Sequence, residues 1–262
     1  MNISFDSNVW EKVVISTDKE ESGYSSLKKL ITSKKIQPYI CEIALSLESI
    51  AKVERLNFWQ NYKPLIDCKT TGCKLNNDGY INVSKQITVS PNNEKHPGSH
   101  PKLKQKLDLA NGLGFKVLRM TNASTVRNPE IPEKMLVNFK DKDFWEYAKK
   151  LAECSNFITE IKAGRYDYDT LKKEYGFQDL STTQLMSKTT QQEKKFYKAV
   201  REWVDGDSLA AHYAFGNDIF CTEDKAKSAG EQSVFSNKNI TVVKSRFDIN
   251  VLPVNAVLQL MF

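Results

Sequence analysis

The chain has 262 residues, enough to bury a sizeable core as one large domain or as one domain carrying a long insertion. Its 38 basic and 32 acidic residues leave a net charge of +6, a mild bias compatible with a polyanionic partner. Five cysteines form no small disulfide scaffold, no stretch reaches the length of a membrane span, and the first residues carry no secretory signal, so a soluble cytoplasmic protein with no membrane partner is expected.

Ile3 and Phe5 alternate with polar neighbours and predict a first strand, followed by Asp6-Ser7-Asn8-Val9-Trp10 as its loop. A polar stretch from Ser16 to Ser26 leads to a short helix around Leu27 to Ile31 and a strand around Ile36 to Ile40. From Glu42 to Leu56 a helix is predicted, with Ile43, Leu47, Ile50 and Ala51 on its buried face and Glu48 beside that stripe. Strand, helix, strand, helix argues for parallel α/β architecture.

From Asn57 to Pro101 the pattern is irregular, rich in Asn, Lys, Gly and Thr, with only Tyr80 to Val89 strand-like. Order returns with a helix over Leu103 to Leu113 and a strand over Phe115 to Arg119, Gly112 and Gly114 supplying the break. Thr121 to Pro132 reads as a loop, Asp141 to Cys154 as an amphipathic helix, and Tyr166 to Thr190 as short helices separated by turns. A helix over Gln191 to Val204 puts Phe196, Val200 and Trp203 on one side and Lys194, Lys198 and Arg201 on another. A short helix then opens on Asp205 and Asp207 and stops at Gly216, where a left-handed residue is expected. A buried strand, Ile219 to Cys221, comes next, with Asp224 just past its end. Thr241 to Lys244 and Ile249 to Leu252 are predicted strands, and Pro253 starts a last helix of Val254 to Met261.

Asp6 and Asp224 follow predicted strands, and Glu48 and Asp207 lie on helices beside strands, so the carboxyl edge of one sheet could collect all four. Carboxylates brought that close repel one another unless a cation neutralises them. Mg²⁺ or Mn²⁺ suits such oxygens, and the chemistry served by that arrangement is phosphodiester hydrolysis, in which a metal activates water for in-line attack. Glu42 competes with Glu48 for the second position, and Asp205 competes with Asp207.

The strand ending in Asp6-Ser-Asn-Val, the helix Cys-Glu-Ile-Ala-Leu-Ser-Leu-Glu48, the helix Asp207-Ser-Leu-Ala-Ala-His-Tyr-Ala and the strand-turn Ile-Phe-Cys-Thr222-Glu-Asp224 together resemble the PIN domain nucleases. The resemblance covers about the first 56 residues and those from Gln191 onward. It implies a Rossmann-like α/β/α sandwich with a central mostly parallel sheet, formed as a single domain over 1–262, with 57–190 as an insertion or elaboration of the core. It also implies metal-dependent cleavage of single-stranded RNA, as in the toxins of bacterial toxin-antitoxin pairs, with Asp6, Glu48, Asp207 and Asp224 as the catalytic and metal-holding acids. Thr222 then matches the residue that orders the last acid's loop, and Asn8 a polar position two residues after the first acid. RNA is the expected partner, with an antitoxin or other protein, or a second copy of the chain, as the protein partners the family suggests. The alternatives are a nuclease acting on DNA and a catalytically weak module that binds nucleic acid or protein.

Two further sets stand apart from that quartet. Lys194, Lys198 and Arg201 form a basic helix face able to track a phosphate backbone, and Lys102, Lys104 and Lys106 form a second basic row. Cys68 with Cys73 and His96 with His100 superficially suit structural zinc, although no finger helix comes after them. His212 is expected to be packed or hydrogen-bonded.

Overall fold

In the computed structural model, which describes residues 1–17, 22–52, 54–55, 58, 64–90, 92–121, 127–139, 141–174, 190–226 and 230–261, short alternating strands sort the core into two layers. Strand β1 (Asn2–Phe5) turns Ile3 and Phe5 to one side and Ser4 to the other. Helices α1 (Ser7–Ile15) and α2 (Gly23–Thr32) come next, then β2 (Gln37–Cys41) and a π turn over Ala44–Glu48. Strands β3 (Leu65–Leu75) and β4 (Ile81–Ser90) pair only with each other, as an antiparallel ribbon. Helix α3 (Pro101–Gly112) leads to β5 (Lys116–Leu118), and α4 (Asp141–Glu160), α5 (Tyr166–Glu174) and α6 (Thr190–Phe215) lead to β6 (Ile219–Cys221). The order closes with α7 (Asn237–Phe247), β7 (Val251–Leu252) and α8 (Val254–Met261).

The main sheet runs β5-β2-β1-β6-β7, and every pairing in it is parallel. Ile3, Phe5, Ile40, Val117, Ile219 and Cys221 pack on one side against Val9, Trp10 and Val13 of α1, Leu27 and Leu30 of α2, Leu107 of α3 and Val257 of α8. On the other side, Tyr39, Cys41 and Leu118 meet Tyr147 and Leu151 of α4 and Val200 and Val204 of α6, and Phe220 meets Leu209, Val243 and Phe247. The chain is thus α/β, with helices on both faces of a parallel sheet whose strands are buried on both sides. From β1 the chain builds one way through β2 to β5, and it later returns to lay β6 against the other edge of β1. The crevice beyond the carboxyl ends of β1 and β6 is therefore a topological switch point, where open α/β sheets bind ligands.

Several expectations are corrected. Asp6 ends β1 as predicted, but the residues after it form helix α1, not a loop, because the Asp6 carboxylate caps the Ser7 N–H. The helix predicted over Glu42 to Leu56 is present but interrupted: Glu42, Ile43, Lys52, Glu54 and Arg55 are helical, whereas Ala44–Glu48 winds as a π turn and 49–51 break the run; Leu56, its predicted end, lies outside the described residues, as do 122–126 of the predicted loop and 175–189 of the predicted short helices. Thr241 to Lys244 belongs to α7, which Ser236 caps and Asp248, at φ 52°, ends in a left-handed turn. The segment 57–190 is not uniform: β5 joins the main sheet and α4 packs along α6, whereas β3 and β4 stand outside the sheet.

The largest correction concerns Asp205-Gly206-Asp207. Helix α6 runs through it without a break and stops only at Gly216, whose φ of 76° is the left-handed turn expected there. Gly206 is not a helix start; a Cβ on it would lie 2.9 Å from the Gly164 Cα, so glycine lets α6 touch the backbone that comes after α4.

Candidate functional site

Asp6 sits at the switch point with its carboxylate fully directed. Its Oδ1 accepts from the Ser7 N–H at 2.7 Å, and its Oδ2 accepts from Asn8 Nδ2 at 2.6 Å and from Thr222 Oγ1 at 2.6 Å. The same Thr222 Oγ1 accepts from the Asp224 N–H at 3.0 Å, and Asn8 Oδ1 accepts from the Glu223 N–H at 3.1 Å. Asn8 and Thr222 thus tie the end of β1 to the turn after β6, and the Asp224 carboxylate is set by accepting from the Ala226 N–H at 2.7 Å. Glu48, at the end of the π turn, is half-buried and accepts from Ser7 Oγ at 2.5 Å. Ser7 therefore links the first two acids, a role that no motif flagged.

Burial pushes the Asp6 carboxyl up to about 6; the Thr222 hydrogen bond opposes the rise, and the charges of Glu48 and Asp224 add to it. Burial also raises Glu48, against the Ser7 hydrogen bond and the nearby charges of Arg201 and Arg55. Asp205 is raised well above the ordinary carboxylate range by burial and then by Asp6, Glu48, Glu202 and Asp224. Among the described residues, none donates a hydrogen bond to its carboxylate. Glu202, one helical turn before Asp205, is buried and pushed up to about 6 by burial, a Ser233 hydrogen bond opposing, and its Oε2 has no hydrogen-bond partner.

Asp207 is not in this group. Successive residues of an α-helix are about 100° apart, so Asp205 and Asp207 point about 200° apart and only one can face Asp6. Asp207 faces α4, where its Oδ1 accepts from Ser155 Oγ at 2.6 Å and its Oδ2 accepts from Trp203 Nε1 at 2.6 Å. Burial raises its pKa while those two hydrogen bonds and the charge of Arg165 pull it down, and the Arg165 guanidinium lies 4.9 Å from the Trp203 ring centre. The acids that the fold brings together are Asp6, Glu48, Asp205 and Asp224, with Glu202 beside them. The signal for Asp205 and Glu202 was available as the spacing i, i+3 that puts both on one helix face.

Glu42 also points elsewhere. Its Oε2 accepts from the Met120 N–H at 2.7 Å and its Oε1 pairs with Arg127 Nε at 3.1 Å, bracing the end of β5. His212 is buried beside Ser4, with Nδ1 3.0 Å from Ser4 Oγ, and burial holds its pKa down to about 3.

The zinc set is not assembled. Cys68 and Cys73 are exposed on β3, and His96 is buried with Nε2 2.9 Å from the Ser46 carbonyl oxygen and Nδ1 accepting from the Gly98 N–H at 3.0 Å. Both imidazole nitrogens are committed, and His100 Nδ1 accepts from the Lys102 N–H at the start of α3.

A cavity of about 600 Å³ opens beside Glu48, within the roughly 300–1,000 Å³ of small-ligand pockets. Lys52, Arg55, Lys102 and Lys106 line it, facing Glu48 and Glu11; Lys106 is paired with Glu11, and Arg55 donates to the Glu48 carbonyl oxygen. Lys194, Lys198, Arg201 and Asp205 succeed one another at i, i+4, i+7 and i+11 along α6, so the predicted basic face descends toward Asp205 and not toward Asp207.

Among the described residues, no three His, Cys, Asp or Glu side chains close around one point as metal ligands, and none of the described helices is long and apolar enough to cross a membrane. The donor chemistry nevertheless fits Mg²⁺ or Mn²⁺, because Asp6 has used three of about four carboxylate acceptor positions and Asp205 has used none, while Mg²⁺ takes only one or two carboxylates and fills its shell with water and phosphate. Comparison with protein-family models, curated proteins and solved structures gave no match to this chain.

Proposed function

We propose that the chain is a divalent-metal-dependent nuclease of PIN-like type acting on single-stranded RNA, with Asp6, Glu48, Asp205 and Asp224 as its acids. The observation that carries this reading is the meeting of Asp6, Glu48, Asp205 and Asp224 at the β1/β6 switch point, where burial and the neighbouring acids raise the Asp6 and Asp205 carboxyls and disfavour ionisation that a divalent cation would restore. Bound there, Mg²⁺ or Mn²⁺ would supply a Lewis acid for phosphoryl oxygen and a hydroxide source at neutral pH. One or two of Asp6, Glu48, Asp205 and Asp224 would hold it directly, and the others would balance its charge through water. Asn8 and Thr222 keep the Asp6 and Asp224 carboxylates on the same side of the crevice, and Ser7 keeps Glu48 beside them. Lys52, Arg55 and Lys102, with Arg201, place positive charge next to Glu48, where a phosphate backbone would be drawn in and oriented.

The test compares two neighbouring acids. Cleavage of a labelled single-stranded RNA in Mg²⁺ or Mn²⁺ is expected for the parent, lost in Asp205→Asn and retained in Asp207→Asn. Loss in Asp207→Asn with full activity in Asp205→Asn would overturn the assignment of the acids. RNA binding without cleavage in any divalent ion would leave a binding module, and cleavage confined to DNA would change the substrate.

A further inference from the structure

The β3–β4 ribbon is exposed along its whole length, with only Gly72 and Ser90 half-buried. Its register sets Ile66 opposite Val89, Cys68 opposite Ile87, and Thr70 opposite Lys85. A bulge between Thr70 and Gly72 shifts the phase by one residue, and beyond it Cys73 lies opposite Val83 and Leu75 opposite Ile81. Directly opposed residues share a face and alternate residues change face, so these five rows line one side of the ribbon. The other side carries Asp67 with Thr88, Lys69 with Gln86, and Lys74 with Asn82, and Asp67 pairs with Lys69 at 3.2 Å. The bulge is what keeps Cys73 and Leu75 on the same side as Ile66 and Cys68; without it the far half of β3 would turn its apolar residues to the polar side.

This face is apolar and open to water, with Ile66 66%, Ile87 65%, Leu75 73% and Ile81 62% exposed. Two strands alone are marginally stable in water, and a sheet face of this composition calls for a covering layer. We infer that a second copy of the chain covers it, ribbon packed on ribbon about a two-fold axis that crosses the Thr70–Lys85 row. The rows read apolar, apolar, polar, apolar, apolar from either end. Reversal by a two-fold axis therefore lays apolar rows on apolar rows and the polar row on itself, the self-complementarity that an isologous interface requires. Lys85 is the only charged residue in the five rows, and it stands on an outer strand edge from which its ammonium can reach water. A phosphate-rich partner would need clustered cations that this face does not have.

The area meets the lower limit. Ile66, Leu75, Ile81, Val83, Ile87 and Val89 are 38–73% exposed, and with Cys68, Thr70, Cys73 and the Lys85 stem the two copies together would bury on the order of 1,000 Å², the lower bound for a specific interface. Cys68 and Cys73 sit within the same rows and would be buried with them.

The experiment uses the full chain and is independent of any nuclease activity. Light scattering on a sizing column, over roughly 1–100 μM, a range that brackets micromolar association, should give twice the chain mass for the parent. The pair Ile66→Lys and Ile87→Lys should give the single chain mass, with an unchanged circular dichroism spectrum. Where the charged pair disturbs the ribbon, Ile66→Thr with Ile87→Thr keeps the branched shape and should weaken the dimer in the same direction. Maleimide should label Cys68 and Cys73 about tenfold more slowly in the parent than in the monomeric variant. A parent that is monomeric throughout, a dimer that survives both pairs of substitutions, or equal labelling rates would each overturn the inference, as would a different macromolecule found seated on single copies.

Discussion

The two flanks of α6 treat their acids in opposite ways, Asp207 being buried and Asp205 half-buried. On one flank Asp207 is met by two donors, Ser155 and Trp203, with Arg165 stacked nearby, so its charge is satisfied by the fold itself. On the other flank Asp205, two residues away, is met by four other acids and by no donor from the described residues. The first pattern is what a structural carboxylate requires, since a buried charge costs several kcal/mol unless it is hydrogen-bonded. The second pattern disfavours ionisation of a half-buried acid that no described donor meets, a cost that a cation would offset on the proposed reading. The difference separates the acid that holds α6 to α4 from the acid available to a ligand.

The sharpest way to break this comparison is activity. Asp205→Asn should reduce divalent-dependent RNA cleavage by about a hundredfold or more, close to 2.7 kcal/mol at 1.36 kcal/mol per factor of ten. Asp207→Asn, assayed per folded molecule, should stay within a few-fold of the parent.

Stability should reverse that order. Asp207→Ala leaves Ser155 Oγ and Trp203 Nε1 without their acceptor and should cost about 1–3 kcal/mol in denaturant unfolding. Gly206→Ala, between the two acids, should cost a similar 1–3 kcal/mol, because its Cβ would meet the Gly164 backbone and cannot be accommodated by a side-chain rotation. An unchanged midpoint for Gly206→Ala would mean that α6 and the turn at Gly164 can separate freely.

Asp205→Asn should stabilise the metal-free protein at pH 7, by less than either of those losses. The folded pKa of Asp205 lies above its ordinary value of 3.8, so the stability linked to its protonation is present below that value and lost as pH rises through the folded pKa. The gain in melting temperature should shrink on acidification toward pH 4 and on adding Mg²⁺ at pH 7. A gain that persists under both conditions would trace it to something other than charge. The effect at His212 is confined to acid: its depressed pKa of about 3, against 6.5, means that the unfolded chain takes up a proton the native state refuses. Stability should therefore fall as pH drops from 6.5 toward 3, and the fall should be shallower in His212→Gln.

The sequence made the sheet legible wherever a strand was short, apolar and bounded by a known breaker. β1, β2, β6 and α8 lie where periodicity put them, and Gly216 ends α6 as its residue type suggests. Asp6, Glu48 and Asp224 were legible as a set because each lies near the end of a strand or turn at the same edge. Asp-Gly-Asp has the composition of a helix start, which favours Asp207 in the sequence, whereas α6 is continuous there and Gly206 makes a contact with Gly164 that no local pattern reveals. Thr241 to Lys244 looked like a strand because Val242 and Val243 are β-branched; burial of Val243 and Phe247 at helical spacing decided otherwise. β3 was missed because its alternation is interrupted by the bulge and diluted by Lys, Thr and Gly.

The π turn at Ala44–Glu48 makes the crevice sensitive to chain length. A π turn holds about one residue more per turn than an α-helix. Removing a single residue there would restore ordinary helical winding and rotate the downstream residues by about 100°, carrying Glu48 away from Ser7 without altering any side chain. The distance counted along the chain from Cys41 to Glu48 is therefore as much a part of this crevice as the carboxylates are, whereas the tip of the β3–β4 ribbon, at Asn77 and Asp78, can gain or lose residues without moving them.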